Sequence, residues 1–399
     1  MKTIFLASGK SSRCAPLSDK NFLEFCGEPL MLKLLKNARD GGLENFVIVS
    51  NGENLDQIKE VCQDVDFIHN VEIVIQKDLS EGMAGGISAG LEKVADEESV
   101  FIMGGNDYVE SDIYQEILEI GVKNDGAILA KHMKDYFPGG YLEIDEDKKI
   151  ISVIEKPGEG NEPSNLVNIV GHFFTKSEDL KLALEEAKSS QDDVYQTALD
   201  TLFKTKNFKA IEYGGVWQAI KYPWHVLEMM NVFLKKQTSS IDKTAQIADS
   251  AKIKGDNVVI DSGAKIFENA VIQGPCYIGK NAIVGNNALV RNSNLGKNST
   301  AGYNTEIARS FIASDVSTHI AYVGDSVIDS DVNFGAYSCT ANLRLDKQPV
   351  KVKIKENLVN SQHEKLGSIV GKGCQIGIHA MLMPGVKVEG NVGPGEVVR

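Results

Sequence analysis

The chain has 399 residues, enough for two or three domains with cores of their own, and its 42% hydrophobic and 24% charged residues are those of an ordinary soluble globular protein. A formal net charge of −13 argues against nucleic acid or an anionic membrane as a partner, because either requires a basic face. Any phosphate site must therefore be local, built from a few well-placed cations.

Met1–Leu6 is too short an apolar stretch for a signal peptide, and no segment reaches transmembrane length. The six cysteines are scattered without a C-x-x-C pair, so free thiols and a cytoplasmic location are expected. From the start to residue 237 apolar strands alternate with amphipathic helices. Strands are predicted at 3–6, 45–50, 71–76, 99–104, 126–131 and 208–212, and helices at 30–39, 54–63, 84–95, 111–122, 178–187, 193–203 and 224–236. This order predicts an α/β domain with a mainly parallel sheet, whose ligands lie beyond the carboxyl ends of the strands.

The first such strand end opens into Leu6-Ala7-Ser8-Gly9-Lys10-Ser11-Ser12-Arg13, continued by Pro16-Leu17 and Lys20. Small residues beside cations after a buried strand suit an anion held against the backbone. A P-loop is excluded, since position 4 is Ile, and no G-x-G-x-x-G is present.

After Gln237 the period becomes six. Aliphatic residues stand at Ile247, Ile253, Ile260, Ile266, Ile272, Ile278, Val284 and Val290, each with a small or medium residue two positions earlier, such as Ala264, Ala270, Cys276 and Ala282. The phase is disturbed between 295 and 365 and returns at Val370, Ile376, Leu382 and Val388. Neither a helix nor a hairpin-linked strand has this period; a coil of short parallel strands does. Boundaries of 1–237 and 241–399 follow for the two domains.

The opening loop, with Leu23, Gly27 and Pro29-Leu30 after it, resembles the signature of sugar-1-phosphate nucleotidyltransferases, L-A-x-G-x-G-T-R-M-x-P-L followed by P-K-x-L-x-x-x-G-K-P-L. The hexads resemble those of left-handed parallel β-helices. The resemblance implies a Rossmann-like first domain in which Arg13 and Lys20 bind a triphosphate and Ala7 and Gly9 lie against the nucleotide. Gln76 and the Gly82 loop would read a pyrimidine base, and Asp107 would hold Mg²⁺. Gly140, Glu155, Lys156 and Asn168 would hold the sugar phosphate, with Asn165 an alternative to Asn168. Three positions depart from that pattern: Ser11 replaces a glycine, Met83 a threonine, and Ala219 the aspartate of W-x-D, with Gln218, Asp192 or Asp193 as substitute metal ligands.

In the disturbed part of the coil, Ser317–Asp325, Asn333–Ala336 and Thr340–Leu343 resemble the acetyltransferase half of the bifunctional N-acetylglucosamine-1-phosphate uridylyltransferase family, above all its archaeal-type members. By that resemblance His319 is the general base, Tyr322, Asn333 and Arg291 hold the amino sugar phosphate, and Ala336 and Asn342 lie at acetyl-CoA. Ala308 stands where relatives often carry lysine, with Arg309 adjacent. Arg344 to Lys365 breaks the hexad and is expected to be an extruded loop.

The implied enzyme joins a nucleoside triphosphate, UTP first, to a sugar 1-phosphate, releases pyrophosphate, and acetylates an amino sugar 1-phosphate from acetyl-CoA. A homotrimer through the coil is expected. Two other readings stay open: a pyrophosphorylase with a scaffold coil, and a catalytically silent nucleotide-sugar sensor.

Overall fold

The computed structural model describes residues 1–63, 71–189 and 193–399. The chain packs as two compact units, residues 1–10 with 31–217 and residues 11–30 with 218–399. Packing therefore does not divide the chain at 237. The helix at 225–236 and the signature segment 11–30 both belong to the unit that contains the coil.

In the first unit a nine-stranded sheet is built around β1 (Lys2–Leu6). Parallel neighbours are β2 (Phe46–Ser50), then β3 (Glu72–Ile75), and on the other side β4 (Val100–Gly104). All five residues of β2 and of β4 are buried, which explains their unbroken apolar sequences: a strand covered on both faces cannot alternate. Helices α1 (Leu30–Asp40), α2 (Leu55–Gln63), α3 (Gly82–Leu91) and α4 (Asp112–Gly121) connect or follow these strands.

The remainder of the sheet is β5 (Gly126–His132), β6 (Gly140–Ile144), β7 (Ile150–Glu155), β8 (Leu166–Phe174) and β9 (Phe208–Glu212), with α5 (Ser177–Glu186) and α6 (Val194–Thr205) before β9. β8 runs antiparallel to β4, β5 and β6, and β6 runs antiparallel to β7, so the sheet is mixed. Strands β6 to β8 escaped the periodicity because glycines and charged residues break up their apolar runs; β7, Ile-Ile-Ser-Val-Ile-Glu, buries only every third residue.

The second unit holds α7 (His225–Lys236) and a coil of three parallel sheets with eight, seven and eight strands. Stacking places like on like: Ile260 pairs with Ile278, Ile266 with Val284 and Ile272 with Val290, each eighteen residues on, or three hexads per turn. These side chains form one continuous core with Ala264, Ala270, Cys276 and Ala282. Corners between strands use asparagine at left-handed φ, at Asn257, Asn269, Asn281 and Asn287 (φ 56–59°), because a short side chain that bonds locally tolerates that region.

The disturbed phase now has a cause. Ile278 pairs with Leu295 seventeen residues on, and Ile312 with Ile328 sixteen, so successive turns lose a corner residue while the column continues. Ile328 then pairs with Val370, and the long insertion between them carries an antiparallel hairpin, Lys351–Ile354 against Asn357–Asn360. Ile272 is fully buried in the column. Ile272→Ala is expected to destabilise the coil by about 2–5 kcal/mol, read as a shifted denaturant midpoint.

Segment 11–30 is fastened to the coil by apolar and polar contacts. Phe25 is fully buried, with ring centroids 5.6 Å from Phe233 of α7 and 5.0 Å from Phe311 of the coil. Asp329 Oδ2 accepts from the Ser18 amide at 2.7 Å and Asn294 Oδ1 from the Cys26 amide at 2.8 Å. Gly27 (φ +81°) lies so close to Tyr277 that a Cβ there would meet its hydroxyl at 2.3 Å. Only glycine satisfies both the space and the dihedral.

Candidate active sites

At the end of β1 the backbone is set by Ala7, whose amide donates to the Val49 carbonyl at 3.0 Å. The chain then leaves the sheet, and Gly9 has open space where a Cβ would stand. Gln76 ends β3 and is buried. Its Oε1 accepts from Ser8 Oγ at 2.5 Å, while Nε2 donates to the carbonyls of Gly82 at 2.8 Å and Asp78 at 3.0 Å. The side-chain amide thus braces the loop against β1. Two glycines of α3 make room for it: a Cβ on Gly85 would lie 2.9 Å from Gln76 Nε2, and one on Gly86 3.1 Å from Oε1.

Asp107 follows β4. Its Oδ1 accepts from Trp217 Nε1 at 3.0 Å, and its Oδ2 would lie 2.6 Å from a Cβ on Gly104, so a side chain there would displace the carboxylate. The Trp217 ring packs edge-on to Phe137 at 4.8 Å. Residues 213–217 are pinned further: the Tyr213 hydroxyl donates to Glu110 Oε2 at 3.1 Å, the Val216 amide donates to the same oxygen at 3.2 Å, and Lys131 Nζ donates to the Gly215 carbonyl at 2.6 Å. A third cluster of the first unit lies on β6 to β8. Gly140 faces Glu155 across the β6–β7 ladder, and a Cβ on it would be 3.2 Å from Glu155 Oε2 and 3.7 Å from Asn168 Cβ. Lys156, at φ +47°, pairs with Glu155 at 3.0 Å.

In the second unit Asp19 accepts from the Asn21 amide at 3.1 Å and shapes the short turn Lys20–Phe22, while Lys20 Nζ donates to the Ile220 carbonyl at 3.3 Å. Arg13 is exposed on the same segment. On the coil, His319 is exposed at the corner between strands Ser317–Thr318 and Tyr322–Gly324. Asn333 lies one turn on, in register with Ser317, and Ala336 follows it at the next corner, where its carbonyl accepts from the His379 amide at 3.0 Å. Asn342 Nδ2 donates to the Tyr322 hydroxyl at 3.1 Å and to Asp325 Oδ2. Arg291 grips Glu306 Oε1 through Nε at 2.9 Å and Nη2 at 2.7 Å.

Residues 2–220 match the nucleotidyl transferase family model, more than half of the chain. The chain belongs to that family. Residues 255–292 match the bacterial transferase hexapeptide model of six repeats, so the coil is the left-handed β-helix those hexads form. The likeness is end to end. The chain is 30% identical to the bifunctional sugar-1-phosphate nucleotidylyltransferase/acetyltransferase of Sulfurisphaera tokodaii, over 100% of this chain and 97% of that one. It is 33% identical to the bifunctional protein GlmU of Methanococcus maripaludis, over 98% and 92%. A crystal structure of UDP-glucose pyrophosphorylase complexed with UDP-glucose shares the fold at TM-score 0.50 and 21% identity, covering 59% of this chain and 99% of that one.

Two groups of functional interest are absent from the expectations above. Trp217, the first residue of the altered W-x-D stretch, is the partner of Asp107. Gln218 donates to Glu228 Oε2 of α7 at 2.7 Å, and Ala219 is buried. Asp193 precedes α6, and Asp192 lies outside the described residues. The second group is the fork between Arg309 and Asp325, with Nε to Oδ1 and Nη2 to Oδ2 both at 2.6 Å. Asp325 is buried, and its side-chain hydrogen bond to Arg309 holds the guanidinium above its usual pKa. The same carboxylate steadies Asn342. One signal for it was in the sequence: Arg309 stands beside Ala308 at the position where a cation was expected.

Proposed function

We propose that this is a bifunctional enzyme that transfers UMP from UTP to a sugar 1-phosphate, releasing pyrophosphate, and transfers acetyl from acetyl-CoA to the nitrogen of an amino sugar 1-phosphate. The observation that carries this reading is the end-to-end likeness to the Sulfurisphaera tokodaii relative, in a chain that holds both the cation-bearing loop and the His319 corner. In the first reaction a phosphate oxygen of the sugar attacks the α-phosphorus and pyrophosphate leaves. No covalent enzyme intermediate is needed once both reactants are clamped. Arg13 and Lys20 neutralise the triphosphate and the charge that grows on the leaving group.

Asp107 is suited to magnesium. Magnesium needs only one or two protein carboxylates when substrate phosphates complete its shell, and among the described residues no cluster of three acidic, histidine or cysteine side chains offers a cage of its own. Bound there, the ion would draw charge from the phosphates. Trp217 Nε1 holds Oδ1 of that carboxylate in place. Trp217→Phe keeps the ring packing on Phe137 and removes the N–H. It is expected to raise the magnesium concentration for half-maximal pyrophosphate release about tenfold to a hundredfold, the loss of one hydrogen bond to a charged group.

In the second reaction His319 accepts the proton of the attacking amine and returns it to the departing thiolate of coenzyme A. Tyr322 and Asn333 would hold the acceptor, with Arg291 at its phosphate and Asn342 beside the acetyl group. The coil would assemble as a homotrimer, and the enzyme would work in the cytoplasm. The test is a pair of assays on the full chain: pyrophosphate release from each nucleoside triphosphate against a panel of sugar 1-phosphates, and free thiol from acetyl-CoA with glucosamine 1-phosphate. Pyrophosphate without thiol would leave the coil a scaffold; neither product would leave a sensor.

A further inference from the structure

Residues four apart on an extended strand lie roughly 13 Å apart. Asn168 and His172 of β8 nevertheless touch, Oδ1 to Nε2 at 2.7 Å. A bulge brings them together: β8 takes four residues from Asn168 to His172 where its partner β5 takes two, from Ala130 to Ile128. Bulges of this kind re-aim side chains and cluster beside active sites.

Behind Asn168 the contact continues inward. His172 Nδ1 meets the Tyr195 hydroxyl of α6 at 2.6 Å, and the two rings stack with centroids 5.6 Å apart at 17°. His172 is 0% and Tyr195 1% exposed. Desolvation by burial pushes the imidazole down to about 3, so it stays neutral and carries a single N–H. With the Asn168 amide oxygen on His172 Nε2, as the structure places it, the chain of these three groups closes in one way. Asn168 Oδ1 can only accept, so the proton sits on Nε2, and Nδ1 is left to accept from the Tyr195 hydroxyl.

We propose that Tyr195 and His172 are positioning residues for the sugar 1-phosphate: they hold the Asn168 amide with its oxygen inward, leaving both N–H donors for a phosphate or hydroxyl oxygen on the Gly140–Glu155 side. Asn168 is the one member of the chain that is only partly buried, and its Cβ would lie 3.7 Å from a Cβ on Gly140, in van der Waals contact with that side of the strand. With the amide rotated the other way, an acceptor oxygen would face an anionic ligand. The relay thus protects the sign of the contact. This inference rests on the nucleotidyl-transfer reading above.

Tyr195→Phe removes one hydroxyl and preserves the ring. Its KM for sugar 1-phosphate is expected to rise about tenfold, while the KM for UTP, kcat and thiol release stay within about twofold of wild type. His172→Gln, which offers an N–H donor and a carbonyl acceptor in sequence, is expected to recover most of what His172→Leu loses. Nitrogen-15 NMR of the full chain is expected to show the Nε2–H tautomer in wild type and a mixture in Tyr195→Phe. An unchanged sugar KM in Tyr195→Phe, an equal rise in the UTP KM, or an Nδ1–H tautomer in an active wild-type enzyme would overturn the relay alone. No pyrophosphate from wild type with any substrate pair would overturn the reading beneath it, and the sugar role of Asn168 with it.

Discussion

His319→Ala protein is expected to release thiol from acetyl-CoA about a thousandfold more slowly than wild type with glucosamine 1-phosphate as acceptor, while its pyrophosphate release is unchanged. The size follows from what the amine must do. It attacks as a neutral nucleophile and acquires a positive charge as the bond to the acetyl carbon forms, so a base within reach removes the proton while the barrier is being crossed. An imidazole, with an ordinary pKa near neutrality, does this at cellular pH. The corner that carries His319 is exposed, but the strand after it is held firmly: Tyr322 is tied through Asn342 to Asp325, and Asp325 to Arg309. His319→Gln keeps polarity and size without a useful base and should be as slow as the alanine variant. Wild-type thiol release from either variant would remove His319 from the mechanism.

Arg309→Ala separates holding from chemistry at the next corner of the coil, on the far side of strand Tyr322–Gly324 from His319. Without the guanidinium the buried Asp325 carboxylate loses its forked partner, at a cost of about 3–5 kcal/mol for an uncompensated buried charge. The measured signs would be a lower denaturant midpoint and a raised KM for the amino sugar phosphate. Arg309→Lys should recover stability only in part, since an ammonium cannot reproduce the two parallel bonds.

The architecture was legible because both halves are written in periods. Strands buried on both faces leave unbroken apolar runs, and the coil repeats one inward residue every sixth position even where the outward ones vary. Two things were not legible. Turns of seventeen and sixteen residues look like loss of the repeat, although Leu295, Ile312 and Ile328 keep the column intact. Assignment of the signature segment to the coil's unit depends on contacts such as Ser18 with Asp329, 311 positions apart, and Cys26 with Asn294, 268 apart, that no local pattern connects. Among the candidate site residues, Arg13, Lys20 and His319 could be proposed in one dimension because the segments around them resemble known signatures. Supporting side chains could not: Trp217 is found only through its bond to Asp107, and His172 only through a bulge that shortens the distance to Asn168.

Lys20→Ala is expected to lower kcat/KM for pyrophosphate release by about a hundredfold to a thousandfold, the usual cost of removing one preorganised group that meets charge developing in the transition state. The lysine stands on a short turn whose conformation Asp19 sets and whose downstream anchor is the buried Phe25. Its ammonium donates to the Ile220 carbonyl at the long distance of 3.3 Å, and replacing it leaves the buried Phe25 anchor in place. Thermal midpoint and thiol release should therefore stay close to wild type. Phe25→Ala supplies the contrast: it opens a cavity between Phe233 and Phe311, should cost about 3–5 kcal/mol of stability, and should depress both activities together. If Lys20→Ala behaved like Phe25→Ala, losing both reactions and stability in parallel, its ammonium would be a structural group. If pyrophosphate release survived, the phosphate-binding role of this loop would fall, and with it the assignment of the first domain's chemistry to the segment between Gly9 and Lys20.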